Sequence, residues 1–491
     1  MIKFFKNIEK LDIVVLTTLM IVCIISSING YISPDSWVYL HLAQSIGMGE
    51  GLTIKGKPFA IFPPGYSFLI ALVSGFSTNI FQLITASKIL NFILAFLSYI
   101  YAKKIFKEPY IALFFVLNPL YLYIVTYTWS ENLFYFSILA SIYYLLQVNT
   151  QATITNLAKL TSFLLLTISA RYFGGVFLFT LFITYLVVYG KDKFLLKLLP
   201  FTVAGISFIA YQALNKYLTG YSTGMPRIEA PETFKYIFMF FIYSNLRMLL
   251  AIIPLIIVFF IFKAKLDFKN SNNKKLSIFL SIVGILYLTD HLILRSLSQY
   301  DLFGIRILGF GVILLCTSVV YYFFNFKKIN FIAVIFFVPL SFYLSGIRYL
   351  DVYDLPKANP NIFNKYANVI SLNVKPNNSD FVKSQARNFY EDRDEYYGYN
   401  VNIIRINGRP FFERDTTKSL RNKLKDNNIE SCIIDFTEVH NKKQLDEILN
   451  RKYVIDKFPD KEIGVFSDEI NSKLHQAFIP NSIVPCKEIL K

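Results

Sequence analysis

Arginine is confined to one set of loops in the hydrophobic part of this sequence, and its chemistry gives the first indication of function. Apolar segments of about bilayer-spanning length recur up to residue 346, and one alternate set of loops carries its positive charge as lysine alone. The arginines before residue 348 all fall in the other set: Arg171, Arg227, Arg247, Arg295 and Arg306. A guanidinium binds phosphate or carboxylate through a bidentate fork that a lysine ammonium lacks. We therefore expect an anionic ligand there, with Arg306, Arg171 and Arg295 as candidate ligand-binding residues. Snorkelling or pairing with nearby acids is the structural alternative.

Carboxylates gather at the predicted span ends on the same side as the arginines: Asp35, Glu50, Glu131, Asp290 and Asp301. Ionisable groups at membrane depth are costly, so they usually face a cavity and a partner. Asp35 follows the first apolar span directly, where its carboxylate would overlook an outer cavity. Glu131 stands at the start of a later span, after Ser130. Helix capping would explain both acids without chemistry, but we take Asp35 and Glu131 as the candidate catalytic residues.

Two histidines lie near these acids in the predicted topology. His41 and His291, with Asp35, Glu50 or Asp290, could complete a site for a divalent metal ion, because imidazole and carboxylate suit such ions. No ligand spacing supports that site, and hydrogen bonding is the alternative role of both histidines. A phosphate-binding loop, a zinc-protease motif and a serine nucleophile elbow are all missing from the sequence. A cytosolic nucleotide is therefore not expected as a direct substrate.

The composition is that of a protein embedded in a membrane. Of the 491 residues, 54% are hydrophobic and only 17% are charged, and the formal net charge is +17. Soluble domains of this size need more polar cover than that. The lysines responsible for the positive charge lie in short loops, which is the pattern that orients spans with their basic loops inside. A nucleic-acid partner is not expected, because the sequence has no soluble basic stripe.

The lysine pattern predicts eleven spans and a cytoplasmic N-terminus, with the first span left uncleaved. We predict spans at 11–29, 80–102, 109–126, 131–148, 157–170, 172–190, 197–214, 246–262, 276–294, 305–324 and 329–346. The apolar run at 64–76 is too short to cross a bilayer. We therefore expect helices at 37–47 and 64–76 to lie in the outer interface. The predicted domains are a transmembrane domain at 1–349 and an extracytoplasmic domain at 350–491.

The segment from 350 onward changes in composition and is predicted to be a small soluble α/β domain. Strand-like runs occur at 402–406, 432–436 and 463–466, and helical patterns at 416–425 and 442–451. Cys432 and Cys486 lie in this polar tail. They could form a disulfide in an oxidising compartment or stay reduced.

Three separated blocks of sequence carry a resemblance to a known family. The first is PDSWVYLHLAQSIG at 34–47, followed by FPPGYSFLIAL at 62–72. The second is WSENLF at 129–134, with SARYFGG at 169–175, and the third is YDLFGIRIL at 300–308. In this order they resemble the GT-C superfamily of membrane glycosyltransferases, especially the bacterial family-39 or protein-mannosyltransferase-like group. The resemblance covers about residues 1–346.

The resemblance implies an enzyme of the bacterial plasma membrane that works on the extracytoplasmic side. Such enzymes move a sugar from a polyprenyl phosphate or pyrophosphate carrier to a glycan, lipid or protein acceptor. It implies that Asp35 is the catalytic base or orients the acceptor. Arg306, with Arg171 or Lys88, would hold the carrier phosphate. Tyr66 and Glu50, from the first outer loop, are further candidate substrate-binding residues. Many relatives have a second acid beside the first, where this sequence has Ser36, so an acid-pair metal site is in question.

Three other functions remain open from the sequence. A transporter or flippase of an anionic lipid-linked substrate would fit many spans and outward arginines, but transporters usually show repeated halves, and no repeat is visible here. A polysaccharide polymerase or ligase would place its long outer loop between late spans, whereas this chain has its long loop first. A purely structural membrane protein would leave Asp35 and its sequence context without a role.

Overall fold

The structure is a computed structural model that describes residues 9–29, 33–54, 57–192, 194–224, 233–262, 265–266, 274–298, 303–325 and 331–347, with four later strands. The helices are α1 (Lys10–Asn29), α2 (Pro34–Gly47), α3 (Gly65–Val73), α4 (Ile80–Phe106), α5 (Pro109–Leu117), α6 (Pro119–Thr126), α7 (Glu131–Thr150), α8 (Ile154–Ala170), α9 (Phe173–Tyr189), α10 (Phe194–Thr219), α11 (Phe234–Ile261), α12 (Lys274–Leu297), α13 (Ile305–Phe323) and α14 (Ile332–Ser345). The strands are β1 (Thr53–Ile54), β2 (Lys57–Pro58), β3 (Lys265–Leu266), β4 (Phe324–Asn325), β5 (Val369–Asn373), β6 (Arg405–Asn407), β7 (Ser431–Asp435) and β8 (Ile483–Pro485).

The helices confirm the predicted class, a polytopic α-helical membrane protein. Seven described helices are long and apolar enough to cross a membrane, and α5 with α6 would make an eighth span if the bent pair is one span. Helices α8, α9 and α14 are apolar but shorter than 18 residues. Each of the eleven predicted span positions is thus occupied by a helix. The two predicted interfacial segments are α2 and α3, and the nine residues of α3 are too few to cross a bilayer.

Two helices differ from their predicted bounds. Helix α11 begins at Phe234 rather than near 246, because Thr233 caps it by accepting the Tyr236 N–H at 3.4 Å. The segment predicted as one span at 109–126 is broken, and α5 and α6 meet at an angle of 53°. The cause is the Asn118–Pro119 pair, since proline has no N–H and disfavours helical backbone in the residue before it.

Asn118 satisfies the backbone at the break on both sides. Its Oδ1 accepts the Tyr121 N–H at 3.0 Å, and its Nδ2 donates to Phe115 O at 2.6 Å. Ser341 of α14 donates its hydroxyl to Leu117 O. The carbonyls freed at a helix end must find partners when no water can reach them. The break is therefore a stable feature of the bundle interior rather than a local defect.

The interior and the outside of the helical unit differ in the expected way for a membrane protein. Helices α5, α6 and α7 are almost completely buried, and α13 packs against α5, α6, α11 and α12. Large apolar side chains on α10, α11 and α14 are instead exposed, for example Ile209, Leu250 and Phe336. An apolar surface of this extent would be a liability in water. It is suited to contact lipid.

Several lysines lie at the opposite end of α4, α7 and α8 from Arg171 and Arg306, whereas Lys88 of α4 contacts Thr126 O beneath the arginine end. Lys103, near the end of α4, contacts Asp12 at 2.9 Å and Glu9 at 3.2 Å. Lys197 is buried and donates to Asn149 Oδ1 at 2.9 Å near the end of α7. The separation of lysine and arginine follows the predicted alternation of loops.

The chain divides into two compact units, one formed by 1–24 with 39–348 and the other by 25–38 with 349–491. In the second unit, β5 pairs in parallel with both β6 and β7, and β7 pairs antiparallel with β8. The predicted strands at 402–406 and 432–436 overlap β6 and β7, and Cys432 lies in β7. The predicted strand at 463–466, both predicted tail helices and Cys486 lie outside the described residues. The predicted domain boundary at 350 stays a prediction.

Candidate functional site

The site begins where α6 ends. Each carbonyl of the last turn of α6 accepts a hydrogen bond from a side chain. The last four carbonyls of a helix have no partner within it. Thr126 Oγ1 donates to Tyr123 O at 2.7 Å, and Asn132 Nδ2 donates to Ile124 O at 3.2 Å. Asn91 Nδ2 donates to Val125 O at 2.9 Å, and Lys88 Nζ donates to Thr126 O at 2.8 Å. The Lys88 ammonium also lies where the helix dipole favours a cation. Helix α6 is thus terminated by residues of α4 and α7.

The same polar residues fix the turn at residues 127–130, which leads into α7. Asn91 Nδ2 donates to Tyr127 O at 2.6 Å, and Lys88 Nζ donates to Thr128 Oγ1 at 3.0 Å. Ser87 Oγ lies 2.7 Å from Thr128 Oγ1, Asn132 Nδ2 donates to Trp129 O at 3.1 Å, and Tyr39 Oη lies 2.7 Å from Ser130 Oγ. Each residue of the turn is restrained by at least one contact. The position of Glu131, the next residue, is therefore fixed by the interior of the protein.

Glu131 binds two of the three arginines predicted from the sequence, Arg171 and Arg306. Its side chain is 1% exposed, and its Oε1 accepts from Arg171 Nη1 and from Arg306 Nε. The arginine side chains are 12% and 16% exposed, so they lie at the edge of the interior. Within the described residues, Glu131 Oε2 accepts no hydrogen bond. Counted by themselves, one carboxylate and two guanidiniums carry a net positive charge.

Three helix N-termini add to the positive potential around this group. Glu131 is the first residue of α7, Arg171 stands two residues before α9, and Arg306 is the second residue of α13. A helix N-terminus carries a partial positive charge and free N–H groups, and this makes it a common site for anions. The arrangement therefore suits an anionic group beyond Glu131, and phosphate matches the guanidinium fork.

Aromatic rings form one wall beside the arginines. The Arg306 guanidinium lies over the Trp129 ring, with its Cζ 5.4 Å from the ring centroid. Tyr127 stacks on Trp129 with a centroid distance of 4.1 Å, and both side chains are buried. A cation over an aromatic face is stabilised further when water is excluded. Trp129 therefore helps to hold the orientation of Arg306.

Tyr66 and Lys88 are both in the scaffold beneath this site. Tyr66 is fully buried, and its hydroxyl donates to Asn91 Oδ1 at 2.7 Å, while its ring meets Tyr39 edge-on at 5.3 Å. Lys88 is 1% exposed. Their polar atoms contact the scaffold described above. Direct contact of either residue with substrate stays a prediction.

The remaining predicted residues have separate surroundings. Asp35 lies in the first turn of α2 and is half-buried. Glu50 is exposed, with one contact from Ser45 Oγ at 3.4 Å. Arg295, in the last turn of α12, is buried and donates to Ser298 O at 3.4 Å. Substrate contacts for Glu50 and Arg295 stay predictions.

The two histidines were predicted as metal ligands. His41 is half-buried on α2, and His291 is buried on α12 with its ring stacked on Phe173 at 3.8 Å. In the part of the chain that the structure describes, no group of three or more His, Cys, Asp and Glu side chains could hold a metal ion. The metal site at these histidines stays a prediction, and we derive no step through one.

Asn91, Asn132 and Trp129 are the residues of the site that the sequence analysis left without a role. The signal for the two asparagines was present, because a polar amide inside an apolar span needs a partner at membrane depth. What could not be foreseen is that both amides serve the same turn. That requires α4 and α7 to pack side by side, as they do in the fold.

Replacing Lys88 with methionine is expected to lower the free energy of unfolding by about 2 kcal/mol. The substitution leaves the buried Thr126 carbonyl without its side-chain donor and removes one of the two partners of the Thr128 hydroxyl. A lost partner of this kind costs about 1–3 kcal/mol. Unfolding of the purified protein in detergent, followed by circular dichroism, measures the change. Lys216→Met, at an exposed position on α10, is the matched control and should change the free energy little. Equal stability of the two variants would contradict the scaffold role of Lys88.

Comparison with solved structures gives eight matching chains. No protein-family model matches the sequence, and no curated protein matches it. The chain is similar to a solved structure described as the crystal structure of ArnT from Cupriavidus metallidurans bound to undecaprenyl phosphate. The TM-score is 0.47 at 10% sequence identity, and the match covers 68% of this chain and 62% of that chain. The chain thus spans less than two thirds of the length of the structure it matches.

Proposed function

We propose that this protein transfers a sugar from a polyprenyl-phosphate-linked donor to an acceptor on the extracytoplasmic side of the membrane. The observation that carries the proposal is the group formed by Arg171, Arg306 and the buried Glu131. Two guanidiniums are held at the edge of the interior, beside helix N-termini that favour an anion. The resemblance of the sequence blocks to GT-C enzymes supplies the class of reaction.

The arginines bind the phosphate of the carrier in this proposal. During transfer the bond between the sugar C1 and the phosphate oxygen breaks, and its electron pair stays on that oxygen. Two fixed guanidiniums stabilise the negative charge that develops there, which is a major source of rate acceleration in enzymes. Glu131 acts as a positioning residue, because it holds both guanidiniums and leaves them a net positive charge.

The new glycosidic bond forms between the sugar and the acceptor. An oxygen of its hydroxyl group attacks C1, where oxocarbenium-like charge develops, as in glycoside chemistry. The hydroxyl proton passes to a carboxylate acting as general base. We assign this role to Asp35. Support comes from the resemblance of PDSW at 34–37 to the first outer loop of GT-C enzymes and from the half-buried position of Asp35 in the first turn of α2.

Transfer of a labelled sugar by the purified protein tests the proposal. The donors are a panel of polyprenyl phosphates that carry different sugars. At least one of them should give labelled acceptor, or free labelled sugar released by hydrolysis. The arginine variant Arg306→Gln should lose the reaction. Transport of a lipid-linked substrate across vesicles without sugar transfer would overturn the proposal and favour the transporter.

Trp129 provides a test of donor binding that does not depend on turnover. The protein has two tryptophans, so Trp37→Phe leaves Trp129 as the single reporter, with Arg306 over its ring. Titration with polyprenyl phosphate is expected to change the fluorescence emission of Trp129 until the site is saturated, because the phosphate binds the Arg306 guanidinium that lies over the Trp129 ring. In the same background Arg306→Gln should abolish the change, and Lys216→Gln should keep it. A titration identical in both variants would contradict phosphate binding at Arg306.

A further inference from the structure

A second cluster of aromatic and cationic side chains lies at the lysine end of the helical unit. It contains Tyr101 and Lys104 of α4, Tyr143 and Tyr144 of α7, and Lys159 and Phe163 of α8. We name it the tyrosine–lysine cluster. Lys104 stands sixteen residues after Lys88 on α4, which is about 24 Å of helix. The cluster is therefore separate from the site at Glu131.

The rings of the cluster contact one another in a continuous series across three helices. Tyr101 meets Tyr143 at 5.5 Å and Phe163 at 5.8 Å, measured between ring centroids. Tyr144 stacks almost parallel on Phe163 at 5.6 Å. Tyr143, Tyr144 and Phe163 are only half-buried. Tyrosines with an apolar body and a polar tip are typical of the boundary between lipid and water.

Two ammonium groups lie over rings of this cluster. Lys104 Nζ is 5.1 Å from the Tyr101 centroid and 5.4 Å from the Tyr143 centroid, and Lys159 Nζ is 5.5 Å from the Tyr144 centroid. All three distances are in the range of cation–π contacts. The two lysines come from different helices, so the positive charge is concentrated on one surface by the packing of α4 and α8 against α7.

The neighbouring lysine shows what distinguishes these two. Lys103 is matched by Asp12 and Glu9. Among the described residues, no carboxylate forms a salt bridge with Lys104 or Lys159, and both side chains are exposed. Within the described part of the chain, the cluster therefore keeps two positive charges without a carboxylate partner.

We propose that the tyrosine–lysine cluster binds the headgroup of an acidic phospholipid. The phosphate would lie between the two ammonium groups, and the acyl chains would follow the exposed apolar surface of the helices. Charge complementarity favours this occupant, because each lysine at an acidic membrane surface contributes about 1 kcal/mol to binding. The tyrosine rings hold the lysines at the level of the headgroups.

Native mass spectrometry of the protein in detergent tests this site. The probes are phosphatidylglycerol, phosphatidylcholine with the same acyl chains, and free glycerol phosphate. Wild type should bind phosphatidylglycerol in preference to phosphatidylcholine. The double variant Lys104→Gln/Lys159→Gln should bind phosphatidylglycerol about thirty-fold more weakly, which corresponds to about 1 kcal/mol for each lysine. Lys216→Gln, an exposed lysine at the end of α10, is the control and should bind as wild type.

A further variant separates charge from structure. Lys104→Arg/Lys159→Arg keeps both cations and should restore most of the binding, while circular dichroism verifies the fold of each variant. Unchanged phosphatidylglycerol binding by the glutamine variant would overturn the proposal. Competition by free glycerol phosphate at concentrations equal to the lipid would also overturn it, because the ligand would then be a soluble phosphate.

Discussion

Replacing Glu131 with glutamine is expected to lower the free energy of unfolding by about 3 kcal/mol, the largest stability effect of a single substitution in the site. The carboxylate is 1% exposed and binds two guanidiniums. Removing one member of a buried ion pair costs about 3–5 kcal/mol, because it leaves uncompensated charge behind. The partial exposure of both arginines places the expected value at the lower end of that range. Denaturant unfolding of the purified protein, followed by circular dichroism, measures it.

A coupled set of variants separates this electrostatic effect from loss of packing. In the background Arg171→Met/Arg306→Met, the change Glu131→Gln should cost much less, because no guanidinium is left unpaired. The difference between the two backgrounds is the interaction energy of the group, and residues in one ion-pair network usually couple by about 0.5–3 kcal/mol. Equal costs in the two backgrounds would mean that Glu131 is needed for its shape alone.

The sequence was sufficient for the positions of the helices and for the residue types of the site. Apolar length and lysine spacing predicted a helix at each of the observed positions, including the short α3. The break at Asn118 was missed, although the asparagine–proline pair was visible, because hydropathy continues through it. The start of α11 was missed for a related reason. Its cap, Thr233, stands thirteen residues before the stretch that hydropathy alone selected.

The partner of Glu131 could not be predicted from the sequence. Glu131 is 40 residues from Arg171 and 175 residues from Arg306. Their meeting depends on how α7, α9 and α13 pack around one point, and no local pattern encodes that packing. The sequence analysis therefore gave Glu131 a catalytic role, whereas its contacts favour a role in positioning the two arginines.

In our proposals, arginine and lysine serve different tasks at the two ends of the helical unit. At one end, two guanidiniums with directional forks are held by a buried carboxylate and an aromatic wall, and this suits the orientation of a phosphate during a reaction. At the other end, ammonium groups act as point charges on tyrosine rings, and this suits a headgroup that exchanges freely. The two side chains carry the same charge. The difference between the two ends therefore follows from the geometry with which a guanidinium and an ammonium group bind an anion.

Replacing Asp35 with asparagine is expected to lower the rate of sugar transfer by a factor of about 10²–10⁴, the usual contribution of a general base. Asparagine keeps the size of the side chain but cannot take the proton of the acceptor hydroxyl. Binding of polyprenyl phosphate, followed through Trp129 in the Trp37→Phe background, should stay unchanged. Asp192→Asn, the same substitution at an exposed position after α9, is the matched control for the rate. A variant that transfers sugar at the wild-type rate would remove Asp35 from the mechanism while leaving the arginine site intact. A variant that loses carrier binding together with transfer would instead assign Asp35 to the structure of the site.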